Sequence, residues 1–229
     1  MSLKTIPVGR DVLARARQEA ADLRAEWTRK GILAVNLMSS PGAGKTSLLE
    51  ATARYWNARR RMAVLVGDLA TDRDAQRLAP LVPVVQLTTG GACHLELPLV
   101  KRGLERLGEL ECEFLFIENV GNLVCPASHD LAEHVRVIVL STTEGDDKPG
   151  KYPKAFRTSQ VLVVNKTDLL PYVPFSVEAA IADARLIQPA LRTVAVSAHT
   201  GTAIAEWCAL LESLRNELLT TGHASLPCR

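Results

Sequence analysis

From residue 31 onward the chain repeats one pattern: a short aliphatic run, a turn carrying Gly or Asp, then apolar residues at helical spacing. The runs are "ILAVNLMS", "MAVLVGD", "VPVVQLT", "FLFIENVG", "VRVIVLS", "QVLVVNK" and "RTVAVSA". Each is brief and hardly alternates, as a strand buried on both faces must be. Strands alternating with helices in this way predict an α/β domain, a mostly parallel sheet flanked by helices on both sides. The first ~30 residues read differently. Leu13, Ala16, Ala20, Leu23 and Trp27 fall three or four apart, the stripe of one amphipathic helix that either covers an edge of the sheet or docks a partner. The expected organisation is a helix over 1–30 and one domain over 31–229. A last helix from Thr202 to about Leu219 places Ile204, Cys208, Leu211 and Leu218 on a similar stripe.

Composition removes several functions. With 47% hydrophobic and 23% charged residues the chain is ordinary for a globular domain, and a net charge of +2 is too small to argue for nucleic acid or an anionic membrane. The basic run Arg59 to Arg61 reads as a solvated corner between a helix and a strand. No charged-then-apolar leader and no apolar run near ~18 residues occur, so cytoplasm is expected and a membrane is not. Five cysteines with no secretion signal fit reduced thiols. Cys112, Cys208 and Cys228 have no ligand-type neighbours and read as packing; His129, His134, His199 and His223 show no ligand spacing and read as core or surface histidines.

"NLMSSPGAGKTSLL" ends the first strand and opens a helix. Gly42, Ala43 and Gly44 can turn backbone N–H groups toward phosphate oxygens, Lys45 can reach the terminal phosphates, the Thr46 hydroxyl can ligate Mg2+, and Ser47 follows in the first helical turn. Ser39 stands where this pattern usually has glycine. At a later strand end, "VVNKTDLL" supplies Asn165, Lys166 and Asp168. A carboxylate at Asp168 accepts from the N1–H and amino group of guanine, donors that adenine lacks on that edge, so GTP and GDP are the expected nucleotides. Asn165 and the Lys166 stem would hold the base, and the Ser197 and Ala198 loop would offer N–H groups to its carbonyl. Asp68 and Asp72 after the second strand, and Glu118 with Gly121 after the fourth, are candidates to sense Mg2+ and the γ-phosphate. With no evident glutamine to orient water, slow intrinsic hydrolysis is expected.

"TTGGACHLE" follows the third strand, and in a parallel sheet its loop opens on the same side as the phosphate loop. Cys93 and His94 would therefore face Cys125, only seven residues beyond Glu118. Two thiolates and an imidazole suit nickel or zinc. The alternative is that the cysteines pack and His94 caps the next helix.

"GGACHLE", "FIENVGNLVCPASHDLAEH", "TEGDDKPGKYP" and "NKTDLLPY" together resemble the hydrogenase nickel-incorporation GTPase family, HypB, over nearly all of the chain after the first ~30 residues. The resemblance implies a SIMIBI-type P-loop GTPase that forms a GTP-dependent homodimer through its nucleotide face, with nickel or zinc held between subunits by Cys93, His94 and Cys125. It implies delivery of Ni2+ to the NiFe-hydrogenase large-subunit precursor with a HypA-type nickel metallochaperone, and a place for Asp147 and Lys148 near the interface and nucleotide. Gly150 replaces a bulkier residue there. The N-terminal stretch carries neither a cysteine motif nor a histidine tract, so a carrier without a storage tail is expected. Competing readings are a urease-accessory nickel GTPase, a cobalamin-enzyme GTPase chaperone, and a non-catalytic metal-binding or storage protein.

Overall fold

The computed structural model describes residues 8–109 and 111–222, with side chains from residue 14. Leu13 as a packing residue, His223 and Cys228 lie outside the described side chains. The strands are β1 (Leu33–Met38), β2 (Met62–Asp68), β3 (Val84–Thr88), β4 (Phe114–Glu118), β5 (Val135–Ser141), β6 (Val161–Asn165) and β7 (Arg192–Ala195). The helices are α1 (Val8–Arg29), α2 (Lys45–Trp56), α3 (Arg73–Leu78), α4 (Leu97–Leu107), α5 (Lys148–Lys151), α6 (Pro153–Arg157), α7 (Val177–Ile187) and α8 (Ile204–Thr221). All seven aliphatic runs form strands of one sheet in the order β3-β2-β4-β1-β5-β6-β7. Every pair is parallel. β1, β4 and β6 are buried at each position, which is why their sequences scarcely alternate.

Strand alternation sorts the core into faces. Val35 and Leu37, Phe114 and Phe116, and Val137 and Val139 meet α2 and α8 on one side. There Trp56 stacks on Phe114 with ring centroids 4.5 Å apart, and Trp207 Nε1 donates to Thr52 Oγ1 at 3.0 Å. Burying each such aromatic contributes about 1.5 to 3 kcal/mol. The other face is covered by α1 and α4 over the first four strands of the sheet order, and by α6 and α7 over β5 and β6. The stripe on α8 is buried as expected, with Trp207 and Leu214 added.

The N-terminal helix departs from expectation in two ways. It lies on the face of the sheet, not along an edge: Ala20 and Trp27 pack with Ala34, Ala63, Leu65 and Leu115 of the central strands. Among its described side chains the first buried one is Ala20, and Ala16 is exposed. The basic corner is less solvated than its sequence suggests, because Arg60 pairs with Glu113 at 3.2 Å and Glu212 at 2.9 Å. Among the described residues no helix is long and apolar enough to cross a membrane.

Candidate functional site

β1 stands at the centre of the order, where successive strands depart in opposite directions, and the loop that follows it sits in the crevice such a switch point creates. Gly42 (φ 76°) and Gly44 (φ 93°) take left-handed conformations. A Cβ on Gly44 would lie 2.5 Å from Asn165 Nδ2, so both conformation and space demand glycine. α2 then starts at Lys45, aiming its N-terminal amides and positive end at the loop. Ser39 is buried and does not adopt a left-handed conformation. Its hydroxyl accepts from Lys45 Nζ at 2.9 Å. Burial lowers the pKa of Lys45, and the charges of Glu118, Asp74, Asp68 and Glu144 oppose that shift.

Thr46 Oγ1 donates to Glu118 Oε1 at 2.8 Å. Glu118 is 4% exposed, and its Oε2 has no partner. Burial pushes this carboxyl up to about 7 against the pull of Lys45 and the Thr46 hydroxyl. A buried carboxylate oxygen without a partner, beside a hydroxyl, is a donor set that fits a hard divalent cation. Asp68 folds into its own turn, its Oδ1 accepting from Ala70 N–H at 2.9 Å and Thr71 N–H at 2.7 Å. Burial raises its pKa, but these donors win and hold it low. Asp72 lies just before α3. It is exposed at the start of α3 without a capping bond. Two residues on, Asp74 acts electrostatically on both Lys45 and Glu118. Asp74 is partly buried and pairs with Arg77 at 3.4 Å.

On the base side, Asn165 is buried and bridges two loops. Its Nδ2 donates to Ala43 O at 3.0 Å, and its Oδ1 accepts from Ala198 N–H at 3.1 Å. Lys166, left-handed at φ 65°, donates to Gly42 O at 2.7 Å. Asp168 accepts from Ser197 Oγ. The amides expected to face the base carbonyl are engaged within the protein: Ser197 N–H bonds Thr202 O at 3.1 Å and Ala198 N–H bonds Asn165. Ser197 instead contributes through its hydroxyl. Beside this wall runs a groove of about 620 Å³ between α2 and the β7–α8 loop, lined by Ser47, Arg54, Arg77, Ala198 and His199 among others. Ser47 Oγ accepts from Arg77 at 3.0 Å.

The loop after β3 and the segment after β4 meet as their shared side requires. Cys93 Sγ and Cys125 Sγ are 2.8 Å apart, and His94 Nδ1 is 3.8 Å from Cys93 Sγ. Both cysteines are free, and ligand atoms of all three residues lie within 4.8 Å of one another. The neighbouring Cys93 thiol raises the pKa of Cys125. His94 does not cap α4, whose N-cap is Glu96. Cys112 and Cys208 are buried, with thiols pushed up to about 11 and about 12 by burial, as packing cysteines should be. His134 is a core histidine and His199 is exposed. His129 contradicts the expectation of no ligand spacing: its ring stacks on His94 with centroids 3.8 Å apart. The missed signal is its position four residues after Cys125, across the 3-10 turn Pro126–Ser128.

A buried polar chain joins the two regions. Asn119 Oδ1 accepts from Leu95 N–H at 3.1 Å, next to His94, while its Nδ2 donates to Asn36 Oδ1 at 3.3 Å. Asn122 bridges to Ser39 at the start of the phosphate loop and donates to Cys93 O at 3.4 Å. A Cβ on Gly121 would come within 2.8 Å of Pro41 Cα, so this segment lies directly on the phosphate loop. Lys148 Nζ is 3.2 Å from Glu144 Oε2 and 3.5 Å from Ser40 Oγ, so α5 also touches that loop. Asp147 pairs outward with Lys151 at 2.6 Å, and the space around Gly150 is open.

A parallel sheet with this loop at its switch point is the P-loop NTPase fold, which the signal recognition particle receptor FtsY of Elizabethkingia anophelis shares at TM-score 0.51 and 12% identity, over 84% of this chain and 74% of that one. Residues 33–195 match the model of the CobW/HypB/UreG nucleotide-binding domain, and the hydrogenase maturation factor HypB of Azotobacter vinelandii is 46% identical over 217 residues, 94% of this chain and 72% of that protein. The chain belongs to the HypB branch of this family. A crystal structure of HypB from Helicobacter pylori in complex with nickel matches it at TM-score 0.84 and 34% identity, over 89% of this chain and 96% of that one.

Proposed function

We propose that this chain is a cytoplasmic GTP-hydrolysing metallochaperone that delivers nickel during maturation of a NiFe-hydrogenase, in a GTP-dependent dimer whose Cys93, His94 and Cys125 hold the metal. The observation that carries the reading is the segment from Glu118 to Cys125. It begins on Thr46, rests on Pro41 and ends on a thiol facing Cys93. A change at the phosphates therefore moves a metal ligand through eight consecutive residues.

In this mechanism the phosphate loop and the α2 N-terminus bind the β- and γ-phosphates, and Lys45 leaves Ser39 to neutralise the terminal charge. Thr46, Glu118 and Asp68 would hold Mg2+, which would supply charge neutralisation across the phosphates, and Asp74 would act beside them through its charge on Lys45 and Glu118. Glu118, whose carboxyl burial raises to about 7, would be held ionised by a cation at this position. Asp168, held by Ser197, selects guanine, while Asn165 and Lys166 fix its wall to the phosphate loop. The HypA-type partner and the hydrogenase large-subunit precursor belong to this reading as donor and recipient. Zn2+ suits the same sulfur and nitrogen donors.

Equilibrium Ni2+ affinity in the GDP form and with a non-hydrolysable GTP analogue plus Mg2+ tests the proposal, with Cys93→Ala as control. A change of about tenfold, or ~1.4 kcal/mol, that vanishes in the variant is expected. Equal affinities in the two nucleotide states would make the site a passive store.

A further inference from the structure

We propose a second divalent-metal position built from His94 Nε2, Glu96 and His129, which competes with the thiolate position for the His94 imidazole. It rests on the metal reading of Cys93, His94 and Cys125 only through that shared ring.

The donors are placed for it. His94 Nε2 is buried without a hydrogen-bond partner and lies 3.6 Å from Glu96 Oε1. His129 Nδ1 lies 2.9 Å from the Cys125 carbonyl oxygen. A carbonyl only accepts, so Nδ1 carries the proton and the lone pair of His129 is on Nε2, the arrangement in which histidine ligates. Ligand atoms of His94, Glu96 and His129 all lie within 4.8 Å of one another. Bonds of ~2.0 to 2.2 Å around a tetrahedral ion separate ligands by about 3.3 Å, so the set closes by small movements. Glu96 is exposed and can follow, and a turn about χ2, a broad torsion in histidine, splays the stacked rings until both nitrogens converge.

The two nitrogens of His94 face different donors. Nδ1 is toward Cys93 Sγ at 3.8 Å and Nε2 is toward Glu96. A neutral imidazole has one lone pair, so an ion bound by one set takes His94 from the other. One set is soft, with two sulfurs and a nitrogen; the other is harder, with two nitrogens and an oxygen. Both suit borderline ions such as Ni2+ and Zn2+, with different strengths. Flipping the tautomer of one ring is then enough to move an ion from a thiolate-held to a nitrogen- and oxygen-held position on the same chain.

The test uses the full chain and Ni2+ alone, reading affinity by equilibrium dialysis and thiolate ligation by the near-ultraviolet sulfur-to-nickel absorption. Cys93→Ser with Cys125→Ser should abolish the absorption yet keep one equivalent of weaker Ni2+ binding. Adding His129→Phe should lower that residual affinity by about tenfold or more, and adding Glu96→Gln should lower it too. Residual affinity indifferent to His129→Phe, or no residual binding, overturns the second position. The thiolate reading fails separately, if the unsubstituted chain shows no sulfur-to-nickel absorption. Urea unfolding checks each variant, and the single Cys125→Ser background repeats the comparison should the double variant not fold.

Discussion

Acid should loosen the attachment of the N-terminal helix through one buried imidazole. His134 is 3% exposed. Its Nδ1 accepts from Ala34 N–H at 2.9 Å, so its proton is on Nε2 and is donated to Thr28 Oγ1 at 3.0 Å, whose own hydrogen goes to Arg24 O. The neutral ring thus joins α1 to β1 with both nitrogens used, and protonation would place a second hydrogen against the Ala34 amide. Burial first, then the Arg24 charge, lowers His134 from 6.5 to about 4. A gap of about 2.5 pH units is worth about 3.5 kcal/mol at ~1.4 kcal/mol per unit. Between pH 4 and 6.5 the unfolded chain binds the proton more tightly, so this stability is complete above 6.5 and is lost as pH falls toward 4. Glu118 acts in the opposite sense. Its folded value of about 7 exceeds the ordinary 4.5, so its contribution is present below 4.5 and is lost as pH rises to 7. The two slopes oppose each other across 4.5 to 6.5, and the wild-type curve alone is uninformative. His134→Asn keeps an acceptor for Ala34 and cannot titrate. Urea unfolding without nucleotide or metal, at steps from pH 4.5 to 7.5, should show the wild type gaining on the variant by about 2 kcal/mol as pH rises to 6.5, then levelling off. A difference independent of pH would refute the argument.

Two further predictions concern the nucleotide side. Gly44→Ala forces a left-handed alanine and drives Cβ into Asn165 Nδ2, so a loss of about 2 to 3 kcal/mol by urea unfolding and of GTP affinity is expected; an unchanged midpoint would show that the loop yields freely. Asp74→Asn should reduce Mg2+-dependent GTP turnover by about tenfold, while Asp72→Asn should leave it within about twofold. The reverse order would restore Asp72 to the site.

The five inner strands were legible because burial on both faces leaves an unbroken aliphatic run, and the edge strands β3 and β7, only partly buried, keep a shorter one. Helix α1 was legible as a helix but not in its placement: periodicity gives a stripe, and only the Ala34, Thr28 and His134 contacts decide which surface the stripe covers. The phosphate loop and Asn165 to Asp168 were legible because each needs a fixed residue at a strand end. His129 was not, since its place four residues after Cys125 points at His94 only once the 3-10 turn Pro126–Ser128 is known.

Asn119 shows why the link between the two regions was the least legible feature and the most consequential. In β4, Phe114 and Phe116 belong to the core under α2, whereas Leu115 and Ile117 belong to the core under α1 and α4. Continuing that alternation sends Glu118 toward Thr46 and the next residue, Asn119, to the opposite face, where it holds Leu95 N–H beside His94. Read singly, one is a carboxylate near phosphates and the other a polar residue in a loop. Read as neighbours at the end of one strand, they tie both regions to the same peptide unit. A displacement of Glu118 on the nucleotide side rotates the backbone that positions Asn119. The loop of Cys93 and His94 would then follow or break a buried hydrogen bond worth about 1 to 3 kcal/mol, the same size as the coupling that the proposed nucleotide switch needs.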